Sequence, residues 1–276
     1  MTVYARGITM SMYLSMGATL FLSAQNTNLM IESNKTMSNQ TNAATWQATL
    51  SSGEAATISW QKTTLFAPEL AALKKESWTI AQAAYIPVEM QFLKAFPKVV
   101  GVEPYFTQFE DLFKNGVQNV DWQAAEAIMT AMLKGHFVFD PAKFGQAMVD
   151  AYGKDTGYFI AARDAKGTML GFATFLERAN YPQGTIKVVS LAVDQAHQNK
   201  GLGKLLVASI FKAKPTITKL FLCTRVTNTQ ALGAYKKWGF VPDATPIMDH
   251  AFDLAHWSFL TYDPTARSVL QDCLKK

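Results

Sequence analysis

The chain has 276 residues, 49% apolar and 17% charged, a profile that excludes a disordered protein and is long enough to bury a core as one large domain or two small ones. The formal net charge is +5, and the charged residues among the first 55 (Arg6, Glu32, Lys35 and Glu54) cancel, so the excess sits on the remainder. That is a mild bias towards anionic ligands, too dispersed to predict a nucleic-acid partner, for which a clustered basic stripe is expected.

At the amino terminus, Arg6 is followed by the uncharged run ITMSMYLSMGATLFLSA, residues 8–24. A basic residue, an apolar stretch and a small residue at Ala24 make residues 1–24 a signal-peptide pattern. A spanning helix fits less well, because the run is short and diluted by Ser, Thr and Gly. A chain start at Met30 is the third reading. No stable membrane association is expected unless residues 8–24 are retained. Residues 25–55 are rich in Asn, Thr and Ser and poor in large apolar residues, and read as a disordered linker.

Organised pattern begins at residue 56. ATISWQK reads as a first strand. APELAALKKESWTIAQAAYI then reads as a helix, with Pro68 in its first turn and Leu70, Leu73 and Trp78 at helical spacing. Residues 87–153 read as a helical insertion. Asp121 caps a helix whose Trp122, Ala125, Ile128, Met129, Met132 and Leu133 share a face. Asp140 and Pro141 open another, which Gly153 ends. The period then shortens to that of strands over 157–164, 167–178 and 184–195, and DAKG between the first two predicts an antiparallel hairpin. A helix over KLLVASIFKAK, a strand over KLFLCTRV, a helix from Thr227-Asn228 to Gly239, and closing strands in FVPDATPIM and HWSFLTYDP complete the chain.

The two cysteines make no disulfide framework, and Cys223 in KLFLCTRV reads as a buried small hydrophobe. His136, His197, His250 and His256 form no ligand pair, so no metal site is expected. The chemistry lies in HQNKGLGKLL, residues 197–206, between a strand and a helix. There the first helical amides lack internal acceptors, which makes such a passage an anion site, most often for phosphate. Glycines at a strand–helix junction also occur as plain turns. A Walker A loop fails, because Gln198 stands where its first glycine belongs and Leu205 follows Lys204. A dinucleotide fingerprint fails at Leu206. What remains is Gln198-x-x-Gly201-x-Gly203.

Its surroundings add specificity. From Lys187 to Phe240, LAV ends a strand, the Gln-x-x-Gly-x-Gly loop follows, and Asn228-x-x-Ala231-x-x-x-Tyr235 leads to KKWGF. This segment resembles the GCN5-related N-acetyltransferase (GNAT) family. The resemblance implies a mixed α/β fold, with a mostly antiparallel central sheet flanked by helices and an enlarged helical segment before the second strand. It also implies acetyl-CoA as co-substrate, bound where two parallel strands splay apart. The diphosphate would take amide hydrogens from Gln198, Asn199, Lys200, Gly201, Leu202, Gly203 and Lys204. The pantetheine arm would pair with the backbone of Leu191, Ala192 and Val193, as an added strand would. Asn228 would bond the arm's amide, and its other reading is a helix cap.

The implied reaction is direct attack of a primary amine on the thioester in a ternary complex. Tyr235 would protonate the leaving thiolate, and an amide of Ala192 or Val193 would stabilise the oxyanion. Tyr235 also reads as an aromatic packed on the sheet. The strand before LAV holds Lys187, Val188, Val189 and Ser190, with no acid. Glu177 is the nearest acidic candidate for a base, against the alternatives of a surface glutamate and of a water chain ending at Ser190 or a backbone carbonyl. The acceptor is expected to be an amine-bearing small molecule or a protein or peptide, and acetyl-CoA implies a cytoplasmic setting unless residues 1–24 direct export. A second class of function, an acyl-CoA-binding sensor or interaction module without turnover, is motivated by the missing strand glutamate and the large helical segment.

Overall fold

The computed structural model describes residues 43–64, 76–95, 121, 123, 124, 127, 155–247 and 254–275. The readings of a signal peptide, of the first part of the linker and of most of the helical insertion lie outside them. Within the insertion, Asp121 Oδ1 accepts from the amides of Gln123 and Ala124 at 3.0 Å each, as a helix cap does.

Where a linker was expected, the structure has strand β1 (Ala43–Thr49), turning through residues 50–54 into β2 (Ala55–Thr64). The polar composition hides an edge strand of which only alternate positions touch the core. Trp46 and Ala48 pack inwards while Gln47 and Thr49 stay exposed. Leu50 is buried and pins the turn. Helix α1 (Trp78–Ala95) follows and runs through Pro87. The helical segment therefore precedes the third strand, not the second.

The remaining elements are β3 (Thr156–Arg163), β4 (Met169–Glu177), β5 (Thr185–Val193), α2 (Leu202–Ala208), α3 (Ile210–Ala213), β6 (Lys219–Arg225), α4 (Thr229–Lys237), β7 (Val241–Pro242), β8 (Trp257–Tyr262) and α5 (Val269–Asp272). The described strands form one sheet in the order β1-β2-β3-β4-β5-β6-β8-β7, and every pair except β5–β6 is antiparallel. This is the expected mixed, mostly antiparallel sheet. The β3–β4 hairpin turns where DAKG predicts: Asp164 Oδ1 accepts from the amides of Lys166 and Thr168 at 2.8 Å each, and Gly167 takes φ +85°.

Helices cover both faces of the sheet. Leu202, Leu206, Val207 and Ile210 of α2 and α3 join Ile160, Ala173, Val188, Leu222 and Tyr262 in the main core. On β6 and β8 the alternate residues, Cys223, Trp257 and Phe259, form a second cluster on the opposite face. There the Arg225 guanidinium lies 3.9 Å from the Phe92 ring centroid and 4.1 Å from that of Trp257, which ties α1 to the sheet. Cys223, expected to be buried, is half-buried on this face. Among the described residues no helix is long and apolar enough to cross a membrane, and no group of His, Cys, Asp or Glu is placed to hold a metal ion.

Candidate active site

The site begins where the sheet stops being a sheet. Strands β5 and β6 pair in parallel only at Thr185↔Lys219, Ile186↔Leu220 and Lys187↔Phe221, yet β5 continues to Val193 and β6 to Arg225. Beyond Lys187 the β5–β6 register ends and the two strands diverge, which leaves a gap between them. A bulge sits at the same level: Thr174 pairs with Ser190 but Phe175 with Val188, so Val189 is the extra residue on β5. A bulge bends its strand and re-aims the groups beyond it.

Past the bulge, Leu191 turns both backbone polar groups into the gap. The hydroxyl of Tyr85, from α1, accepts from Leu191 N–H at 3.2 Å and donates to Leu191 C=O at 3.4 Å. Strand alternation then turns Ala192, paired with Phe172, towards β4, and brings Val193 back to the gap, where its C=O accepts from Gln198 Nε2 at 3.3 Å. Of the expected backbone set, Leu191 and Val193 face the gap and Ala192 faces the neighbouring strand. An oxyanion amide from Ala192 is therefore excluded by its direction.

The loop into α2 is built from local turns. Asp194 Oδ1 accepts from Ala196 N at 3.0 Å and lies 3.0 Å from His197 Nδ1. Asn199 and Gly201 adopt φ +61° and +81°, so the chain reverses sharply before Leu202 buries itself to start the helix. A Cβ on Gly201 would meet nothing nearer than Ser51 Oγ at 3.7 Å, so the space there is open and the need for glycine is its φ. A Cβ on Gly203 would approach the Trp238 ring to 3.2 Å. Neither lysine of the loop stands uncompensated. Lys200 Nζ lies 2.9 Å from Glu54, on the β1–β2 turn, and Lys200 C=O accepts from Ser51 N–H at 3.2 Å. Lys204 is close enough to Asp272 to help hold that carboxyl below its ordinary pKa, after the larger effects of Lys275 and Ser268.

Asn228 is the N-cap of α4. Its Oδ1 accepts from Ala231 N at 3.2 Å and its Nδ2 donates to Thr224 Oγ1 at 3.1 Å, which bridges the helix start to β6. Tyr235, two turns on, packs edge-to-face on Trp238 and Phe240, with centroids 5.4 and 5.6 Å away. Burial pushes its phenol pKa well up, and the phenol of Tyr85 and thiol of Cys223 push it further. Those causes place the three groups within electrostatic reach of one another. Tyr235 packs against the core on the α2 face and Tyr85 belongs to the helix on the other.

Glu177 is not brought to this place. It ends β4 beside the stretch where β5 and β6 still pair, and its carboxylate is engaged by Lys214 and by the Tyr158 hydroxyl, which donates at 3.0 Å. Tyr85 is the residue that sequence reasoning misses: AQAAYIPVEM reads as an apolar helix face, and nothing local marks the partner of its hydroxyl. Ser190, by contrast, is buried beside Tyr85, and its hydrogen bond lowers that phenol's pKa against the larger upward effect of burial.

Residues 125–240 match the model of the Acetyltransferase (GNAT) family. N-alpha-acetyltransferase RimI of Mycobacterium tuberculosis is 25% identical over 121 residues, 44% of this chain and 72% of that protein. Among solved structures, the ribosomal-protein-S18-alanine N-acetyltransferase of Escherichia coli is 20% identical over 38% of this chain and 67% of its own, with a TM-score of 0.30. A Bacillus subtilis acetyltransferase in complex with CoA is 25% identical over 43% of this chain and 84% of its own, with a TM-score of 0.33. The matched segment includes the gap, the loop and Tyr235, and leaves out β1, β2, α1, β7, β8 and α5. Residues 125–240 are therefore similar to the acetyltransferase (GNAT) family, in agreement with the resemblance carried by Lys187 to Phe240.

Proposed function

We propose that the chain transfers an acetyl group from acetyl-CoA directly to a primary amine, on a small molecule or at the end of a polypeptide. The observation that carries this reading is the edge of β5 where its pairing with β6 ends, with the backbone of Leu191 and Val193 directed into a gap that Tyr235 and Tyr85 adjoin.

The residues present fit the donor. Gly201 leaves open space beside the loop, and the amides from Gln198 to Lys204 would hold the diphosphate at close range. With Lys200 paired to Glu54, most of that attraction falls to the amides and to Lys204. Leu191 and Val193 would receive the pantetheine arm as a strand edge receives a peptide. Acetyl-CoA itself supplies the activated acyl group as a thioester. Val193 N–H is the donor available to a developing oxyanion. Tyr235 is protonated across the neutral range, as any phenol is, and burial raises its pKa further, so it can serve as an acid for the leaving thiolate. Glu177 has no part in this reading, since Lys214 already neutralises it away from the gap. The amine's proton would leave by water reaching Ser190 or a backbone carbonyl.

The test is an acceptor panel spanning peptide amino termini, polyamines and amino sugars, with free thiol released from acetyl-CoA as the readout. Release with one class identifies the acceptor. Tight acetyl-CoA binding with no release from any amine would overturn the reading.

A further inference from the structure

We propose that Tyr85 competes with the pantetheine arm for strand β5, and so sets the affinity of this enzyme for acetyl-CoA. The inference rests on reading the gap as the acetyl-CoA cleft. An unpaired strand edge offers one N–H and one C=O per outward residue, and buried backbone groups of this kind are rarely left without partners. At Leu191 a single hydroxyl answers both groups: Tyr85 Oη accepts at 3.2 Å and donates at 3.4 Å. The two amides of the pantetheine arm would use the same two groups in the same senses, the C=O of one accepting and the N–H of the other donating. The two occupants exclude each other.

The contact does not belong to the matched domain. Tyr85 lies 106 residues from Leu191, on a helix outside residues 125–240. That helix is anchored elsewhere, through Phe92 under the Arg225 guanidinium. Entry of the arm therefore requires the Tyr85 side chain to leave Leu191 while α1 stays docked. Val193, the other gap-facing residue, is covered differently. Its partner Gln198 is five residues away in the loop that meets the diphosphate, so that bond can adjust with the loop.

Removing only the hydroxyl removes the competitor and keeps the ring. Tyr85→Phe is expected to bind acetyl-CoA about 3- to 10-fold more tightly by calorimetry, the scale of one net hydrogen bond. The nucleotide half of CoA, which lacks the arm, is expected to bind wild type and variant alike. Tyr85→Leu should repeat the pattern, and a melting curve without ligand reports whether either variant folds. Unchanged or weaker acetyl-CoA binding by folded Tyr85→Phe overturns the proposal, as does an equal gain for the nucleotide half. If wild type itself fails to bind acetyl-CoA, it is the reading of the gap that falls.

Discussion

The matched segment and the elements outside it contribute to the site in different ways. Residues 125–240 hold the gap, the loop and Tyr235. The elements outside hold contacts made onto those parts: Ser51 and Glu54 on Lys200, Tyr85 on Leu191, and Phe92 and Trp257 about Arg225. The first region holds the residues that carry the family resemblance. In the proposed reading, the second sets how far those residues are free to meet a ligand. A binding motif is therefore a statement about its own residues, and its affinity in a given chain depends on what the rest of the fold lays across it.

The sharpest way to break this comparison is inside the matched segment. Tyr235→Phe should lower kcat by about 100-fold or more, the usual scale for loss of a general acid, with acetyl-CoA affinity unchanged. A matching loss of affinity would mean that the phenol holds the ligand. Next in size is the tie between regions. Arg225 is buried between two aromatic rings, and Arg225→Leu should cost about 2 kcal/mol in chemical denaturation and expose α1 to early proteolysis. Intact resistance of α1 would show that it docks without Arg225. The several-fold tightening expected of Tyr85→Phe comes third.

Smaller effects belong to the β1–β2 turn. Glu54→Gln frees the Lys200 charge, so acetyl-CoA should bind about 2- to 4-fold more tightly at low salt, and the gain should fade as salt screens it. Lys200→Ala should abolish the gain. The same pair has a pH dependence. Lys200, then Ser52, holds the Glu54 carboxyl below its ordinary value of 4.5. A carboxylate with a depressed folded-state pKa stabilises above the unfolded value and loses that contribution as pH falls through the folded one. The turn should therefore stay docked above about pH 5, and the protection of the Ser51 amide, its hydrogen exchange taken relative to the intrinsic rate at each pH, should fall slightly as pH drops below 4.5. No change in Ser51 exchange across that window would show that the backbone bond alone holds the turn.

Much of the site could be read from residues that are neighbours in the chain. The β3–β4 turn follows from Asp164 and Gly167, whose side-chain bond and positive φ involve only the next few residues. The cap of α4 follows from Asn228 and Ala231 for the same reason. The loop into α2 announces itself through Gly201, which supplies a conformation that other side chains resist. Strand β1 escaped because its stabilisation is one-sided: Trp46 and Ala48 pack on a core contributed by later strands, and its own composition is that of a linker. Glu177 is a candidate base only by its place in the sequence, which does not encode its pairing with Lys214, 37 residues away.

The order of turns, caps and glycine reversals, and with it the family resemblance, was determined by local sequence, because those features depend on dihedral preferences and hydrogen bonds spanning a few residues. Tertiary structure decided the direction in which Leu191, Ala192 and Val193 present their amides, because a strand's outward edge is defined only once β4 pairs and β6 diverges. It also decided that Tyr85 and Glu54, 106 and 146 residues from their partners, lie across the cleft and its loop. Contacts at such separations depend on where the whole sheet brings its helices, and no periodicity within α1 or β1 encodes them.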